Sequence, residues 1–186
     1  SLLRGNRADK YSVFAFDAFK SPNCPPLARV GTGIQFPATP ERPPSFGLLS
    51  VHQQLDDQVA LIKFVPGLAP NLLSHLIDAP IRGLVLETFG SGNVPAVPGL
   101  VDVLAEAIAQ RDLLVVAITQ QLQGSVQLGA YAAGRRLLDA GVVSGYDMTP
   151  QAALSKLMFL LGKDITQAER RRLLGTNMRG ELTTPA

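Results

Sequence analysis

The sequence predicts an α/β fold: a small parallel four-stranded sheet with helices on both faces, preceded by the tail of a larger N-terminal α/β domain and a proline-rich linker. Two observations predict the sheet. From about residue 57 apolar runs alternate with helically spaced segments, and strands alternating with helices build a parallel sheet covered on both sides. The run 113–119 is nearly all apolar, as a strand buried on both faces must be. A third observation sets the first part of the chain apart. Residues 37–44 hold four prolines, too dense for a helix or a central strand and suited to an extended, semi-rigid connection. The expected division is 1–36 for the remnant of a preceding domain, 37–56 for the linker and 57–186 for the C-terminal α/β domain.

Taken in order, residues 1–36 read as irregular, with aromatic Phe14, Phe16 and Phe19 and a strand over 30–36. The dense polar loop Arg4 to Lys10 has only three residues before it. Such a loop has little to hold it, which leads us to expect a fold entered partway through. A strand is expected over 47–52. Strand 59–65 is closed by Pro66-Gly67. A helix follows over 70–77, with Pro70 suited to its first turn. The second strand of the domain, 81–89, is closed by Gly90-Ser91-Gly92-Asn93. Leu100, Val103, Leu104, Ala107 and Ile108 have helical spacing within 99–110. Strand 113–119, helix 131–140 and a short strand 142–143 come next. Thr149-Pro150 is a cap followed by a first-turn proline, opening a helix to 161. Thr166-x-x-Glu169 is a capping box for a last helix to 174.

Composition narrows the function classes. The 186 residues allow one full domain and part of another. Apolar residues make up 46% of the chain, enough for a core and too many for global disorder. A net charge of +2 with both signs scattered is no footprint for nucleic acid. The run Arg170-Arg171-Arg172 reads as a solvated helix face. One cysteine, Cys24, leaves no disulfide framework within the chain and suits a reducing compartment, hence a cytoplasmic setting. No apolar run reaches the ~18–20 residues of a membrane span, so no membrane partner is expected.

Chemistry in such a sheet belongs beyond the carboxyl ends of its strands. Two of those ends are polar: Glu87 to Asn93, and Thr119-Gln120-Gln121. Gly90 and Gly92 could leave amides free for a carboxylate or phosphate, or could make an ordinary turn. Gly90-x-Gly92-x-x-Pro95 lacks the third glycine of a dinucleotide fingerprint, and Asp112 precedes the next strand instead of ending it. Lys10 is the candidate base, since a lysine can take a proton where burial or a nearby cation lowers its pKa; the same residue also reads as a surface lysine between charges. Tyr131 opens a helix and could present its hydroxyl at a site or pack in the core. His52 and His75 lack metal-ligand spacing, so no metal is expected.

Several motifs together resemble the cytosolic, type I L-asparaginase family: Leu3 to Lys10, Phe16-Asp-Ala-Phe with Ser21-Pro-Asn23, Leu86 to Asn93, Gly141 to Thr149, and Arg179-Gly-Glu-Leu-Thr183. The resemblance implies an amidohydrolase that converts L-asparagine to L-aspartate and ammonia without a cofactor. It implies a threonine nucleophile in a Thr-Gly-Gly-Thr motif and a partner threonine and aspartate in Gly-Thr-Asp-Thr. Neither motif occurs here, so the resemblance assigns both to an absent N-terminal catalytic half and leaves the isolated chain inactive. Lys10 corresponds to the family's catalytic lysine. Asn93 and Tyr131 match positions near the edge where a neighbouring subunit's site is completed, in a homodimer or tetramer.

The chain departs from the bacterial pattern at a second, effector pocket for asparagine. Asp9, Glu87 and Gln121 stand where those enzymes carry threonine, arginine and cysteine. Two carboxylates there would repel the ligand's own carboxylate, so effector regulation of that kind is expected to be absent or rebuilt. Two alternatives remain: a non-catalytic asparagine-binding or oligomerisation module, and an asparaginase-like subunit of a tRNA-dependent amidotransferase.

Overall fold

The computed structural model describes residues 1–37, 51–129 and 132–184. The first of these segments stays outside the main sheet. A 3-10 turn at Gly5–Arg7 leads into two short antiparallel pairs, β1 (Asp9–Lys10) with β2 (Phe19–Lys20) and β3 (Arg29–Val30) with β4 (Ile34–Gln35). The single strand expected over 30–36 is thus a hairpin. Gly31 N donates to Gly33 O at 2.9 Å, and two glycines flanking Thr32 let the chain reverse there.

Few of this segment's apolar side chains are covered. Phe14 is 97% and Phe16 108% exposed, and Val13, Phe19, Val30 and Phe36 are open too. Ala28 is its one buried hydrophobic residue among those described. With so few of its apolar side chains covered, the segment has no core of its own among the described residues.

The remainder follows the expected alternation: β5 (Val59–Lys63), α1 (Pro70–Ile77), β6 (Gly83–Thr88), α2 (Leu100–Arg111), β7 (Leu114–Thr119), α3 (Ala132–Asp139), β8 (Val143–Ser144), α4 (Pro150–Leu161) and α5 (Gln167–Leu174). The four strands are parallel in the order β5-β6-β7-β8. Side chains alternate across the sheet with period two. Leu84, Leu86, Val115 and Ala117 enter one core with Leu73 of α1, Leu104 of α2 and Leu137 of α3. Val85, Leu114, Val116 and Ile118 enter the other with Ala153 and Leu157 of α4 and Leu174 of α5. All six residues of β7 are buried, as its composition requires.

Two helix starts form through their threonines. Thr149 Oγ1 accepts from Ala152 N and Thr166 Oγ1 from Glu169 N, both at 3.2 Å. Only this half of the capping box at Thr166 is seen, because the Glu169 carboxylate turns forward to Arg172 at 2.6 and 2.7 Å. The basic run beside it is only partly a solvated face. Arg170 donates to Leu160 O and Lys163 O at the end of α4, and Arg171 to Gly141 O beyond α3. Carbonyls at helix ends lack intrahelical partners, and a guanidinium there satisfies them and matches the helix dipole. Most of the linker expected over 37–56, and residues 47–50 of the strand expected over 47–52, lie outside the described residues; residues 51–56 form no strand. Among the described residues no helix is long and apolar enough to cross a membrane.

Candidate functional site

The carboxyl ends of β6, β7 and β8 share one edge, and the segment 4–9 packs over it. The turn after β8 is built for this. Gly145 N donates to Ala117 O at 2.8 Å, and Tyr146 adopts a left-handed φ of 52°. A tyrosine held there is strained, and it delivers the next residue, Asp147, beneath the 3-10 turn. Arg7 meets it as a fork: Nη1 donates to Asp147 Oδ1 at 2.9 Å and Nη2 to Oδ2 at 2.5 Å. The guanidinium also reaches Glu181 O, Asn23 O and Thr183 Oγ1, at 2.8, 3.2 and 3.1 Å. Thr183 N donates to Asp147 Oδ1 at 2.7 Å.

A second buried pair lies alongside. Lys156 of α4 donates to Glu181 Oε1 at 2.6 Å and to Thr176 O at 2.5 Å. The Glu181 carboxylate also accepts from the amides of Met178 and Arg179. Residue 181 therefore joins the pairs, its side chain on Lys156 and its carbonyl on Arg7. Arg7, Asp147, Lys156 and Glu181 are each under a tenth exposed.

Burial alone pushes the Asp147 carboxyl up, but the Arg7 fork, the Thr183 bonds and the Arg7 charge outweigh it, and the group sits below its ordinary value. Burial likewise works against Glu181, and Lys156 with the surrounding amides again holds it low. For Lys156 burial wins over the pull of Glu181, and the ammonium is lowered. The acid consequence has a definite sign. Both carboxyls bind fewer protons folded than unfolded, so their stabilisation is full above the ordinary carboxylate pKa of about 4 and is lost as pH falls through their depressed folded values. Urea midpoints are expected to drop between about pH 4 and 2, and Asp147→Asn is expected to flatten that drop; an unflattened profile would assign the acid sensitivity to other carboxyls.

Between segment 4–9 and the strand ends lies a crevice of about 90 Å³, lined by Asp9, Asn23, Glu87, Gln121 and Thr149 among others. The structure thus brings Asp9, Glu87 and Gln121 together. Gln151 Nε2 donates to Asp9 Oδ1 at 3.1 Å, while Glu87 makes no ion pair among the described residues. With Arg7 committed to Asp147, the remaining charge in the crevice is negative. Gln120, beside Gln121, serves the fold: its Nε2 holds the carbonyls of Phe64 and Glu87 at 2.7 and 2.9 Å.

Lys10 is not in this crevice. It follows Asp9 on β1, where neighbouring side chains point to opposite sides, and it is exposed. Asn93 is also exposed and lies at the strand edge outside the crevice. Its loop is an ordinary turn. Gly92 N and Asn93 N donate to Phe89 O at 3.1 and 2.8 Å, so two amides that could have faced an anion are closed. Gly90 and Gly92 take positive φ there, 49° and 122°, which glycine tolerates. Tyr131 lies outside the described residues.

The four buried charges were not singled out from sequence. Arg7 and Asp147 are too distant along the chain for spacing to pair them. Lys156 left a readable trace, since it sits between Ala153 and Leu160 on the helical face that packs inward.

A family profile described as the glutaminase/asparaginase C-terminal domain matches residues 58–174. The chain is 38% identical over 182 residues to L-asparaginase 1 of Escherichia coli K12, covering 98% of this chain and 54% of that protein. It is 41% identical over 187 residues to the 60 kDa lysophospholipase of Mus musculus, covering 100% and 33%. It is 35% identical over 184 residues to one component of the glutamyl-tRNA(Gln) amidotransferase of Pyrococcus furiosus, covering 97% and 41%. The crystal structure of L-asparaginase I from Vibrio cholerae superposes with a TM-score of 0.90 at 38% identity, over 98% of this chain and 55% of that one. The chain thus spans about half the length of the asparaginases it matches and a third of the lysophospholipase.

Proposed function

Because this chain belongs to the glutaminase/asparaginase family, we propose that it is the C-terminal portion of a cytoplasmic L-asparaginase. The longer protein hydrolyses L-asparagine to L-aspartate and ammonia. A threonine upstream of this chain is the nucleophile, Lys10 is the base that helps deprotonate it or the attacking water, and the enzyme works as a homodimer or tetramer. The division at 1–36, 37–56 and 57–186 belongs to the same reading, with 1–36 as the end of the catalytic domain.

One observation carries it. Most large apolar residues of 2–36, among them Leu2, Val13, Phe14, Phe16, Phe19 and Phe36, are exposed, whereas 58–174 matches a C-terminal domain profile and contributes to two filled cores. The first segment has no core of its own among the described residues and needs a partner surface to cover it, whereas the second has its core filled from its own elements. The upstream half of the related asparaginases supplies a segment of suitable size. Lys10 lies on the uncovered part, where such a half would bring the nucleophile to it. A lysine base without its nucleophile performs no acyl transfer.

The test is ammonia release from L-asparagine by the 186-residue chain and by the longer protein. The longer protein is expected to turn over with a hyperbolic saturation curve, since the acid-lined crevice disfavours a carboxylate-bearing effector, and the isolated chain is expected to be inert. Deamidation by a folded chain verified to carry nothing before Ser1 would falsify the reading. A longer protein inert on asparagine alone but active on a lysophospholipid, or active only in the presence of glutamyl-tRNA(Gln), would move it to the function of another relative. A longer protein that binds asparagine without turnover would make it a binding module.

A further inference from the structure

We infer that Arg7 and Asp147 are positioning residues for Lys10, so that the end of the chain, through Glu181 and Thr183, sets the geometry of the proposed base. The inference rests on the reading of Lys10 given above. Only two residues separate Arg7 from Lys10, a span of at most about 11 Å.

β1 cannot hold Lys10 in place by itself. It has two residues, its only sheet partner among the described residues is β2, and β2 is exposed at both positions. A short two-stranded hairpin is marginal in water. Within the hairpin Tyr11 N donates to Ala18 O at 2.9 Å and Lys20 Nζ lies 3.8 Å from the Tyr11 ring centroid; the contacts that tie the strand to the rest of the fold come from elsewhere. Arg7 is held by Asp147, Glu181, Thr183 and Asn23. Asn6 Nδ2 donates to Arg179 O at 3.0 Å, and Gln151 Nε2 to Asp9. All of these partner residues except Asn23 lie after β8, on the turn, the first turn of α4 or the final segment, and Arg179, Glu181 and Thr183 belong to one short run. The planar fork of Arg7 on Asp147 fixes orientation as well as distance, which a lysine's point charge does not. The 3-10 turn then transmits that orientation directly to β1.

The experiment pairs kinetics on the longer protein with hydrogen exchange on the 186-residue chain. Arg7→Lys keeps the charge and removes the fork; Asp147→Asn keeps the shape and removes the charge. Each is expected to lower kcat about 10- to 100-fold with KM within about twofold, because a misplacement near 1 Å has that effect on a reacting group. Neither variant should lower kcat further in a Lys10→Met background, since residues that act through one group are non-additive. Amide exchange over residues 8–11 is expected to quicken about tenfold in the variants while β6 and β7 keep their protection. Leu157→Ala, a buried core change, serves as the stability control and should lower Tm without changing kcat well below Tm. Unchanged kcat, an additive loss in the Lys10→Met background, a kcat loss matched by Leu157→Ala at equal Tm, or unchanged exchange over 8–11 would each overturn the inference. If the wild-type longer protein does not hydrolyse asparagine, the functional reading fails, and the clamp stands or falls on the exchange result alone.

Discussion

Lys10→Met in the longer protein is expected to lower kcat for asparagine about 10²- to 10⁴-fold, the range a positioned general base supplies, while leaving thermal stability within about 0.5 kcal/mol of wild type. The two halves of this expectation come from different facts. The proposed role of Lys10 rests on the resemblance of the segment it closes to the family's Arg-Gly-Asn-Arg-x-x-Lys motif. Yet in the structure its side chain is exposed and makes no hydrogen bond or ion pair among the described residues, so removing its charge leaves no buried partner behind. A residue that matters for turnover and not for folding has this signature. Steady-state ammonia release and a thermal melt, measured on one preparation, check both parts. A kcat within about threefold of wild type would remove Lys10 from the mechanism, because general-base effects below about 10² are smaller than the role requires.

The same contrast explains what the sequence could and could not disclose. The fold was legible because its signals are local. Pro70 and Thr149-Pro150 announce helix starts, and α1 and α4 occupy Pro70–Ile77 and Pro150–Leu161 as expected. The strands came out shorter than their apolar runs. Phe64 and Leu113 are buried but lie outside β5 and β7, since an apolar run records burial and a strand records pairing. Val142 is a similar case, filling the core just before β8. The hairpin at Gly31 and Gly33 was missed because a run of β-type residues gives no sign of reversal unless the glycines are weighed as a turn. The crevice was legible only through resemblance. Asp9, Glu87 and Gln121 come from three elements, and no spacing rule joins them. The buried pair of Arg7 and Asp147 was illegible for the same reason, its members lying 140 positions apart along the chain.

Lys156→Met is expected to destabilise the 186-residue chain by about 3–5 kcal/mol at pH 7, the usual consequence of stripping one partner from a buried ion pair. For a chain of this size that corresponds to a fall in Tm of about 6–20 °C. Methionine fills much of the lysine stem's volume, so the loss comes from what remains: the buried Glu181 carboxylate, with two backbone amides and no cation. The pH dependence then separates this cause from simple loss of packing. In the wild type Glu181 is held below its ordinary value, so acid removes its contribution. In the variant the uncompensated burial acts in the opposite direction and raises the carboxyl. A group raised on folding contributes most below its unfolded pKa and loses that contribution as pH rises through the folded value. The gap between variant and wild type is therefore expected to narrow as pH falls from 7 to about 4, because protonation relieves the stranded charge in the variant while the wild-type pair keeps its full contribution over that range. Urea unfolding of both chains across that range decides it: a gap that stays constant would mean that Lys156 stabilises the fold through packing of its methylene stem, and that the charge of Glu181 is satisfied by the Met178 and Arg179 amides alone.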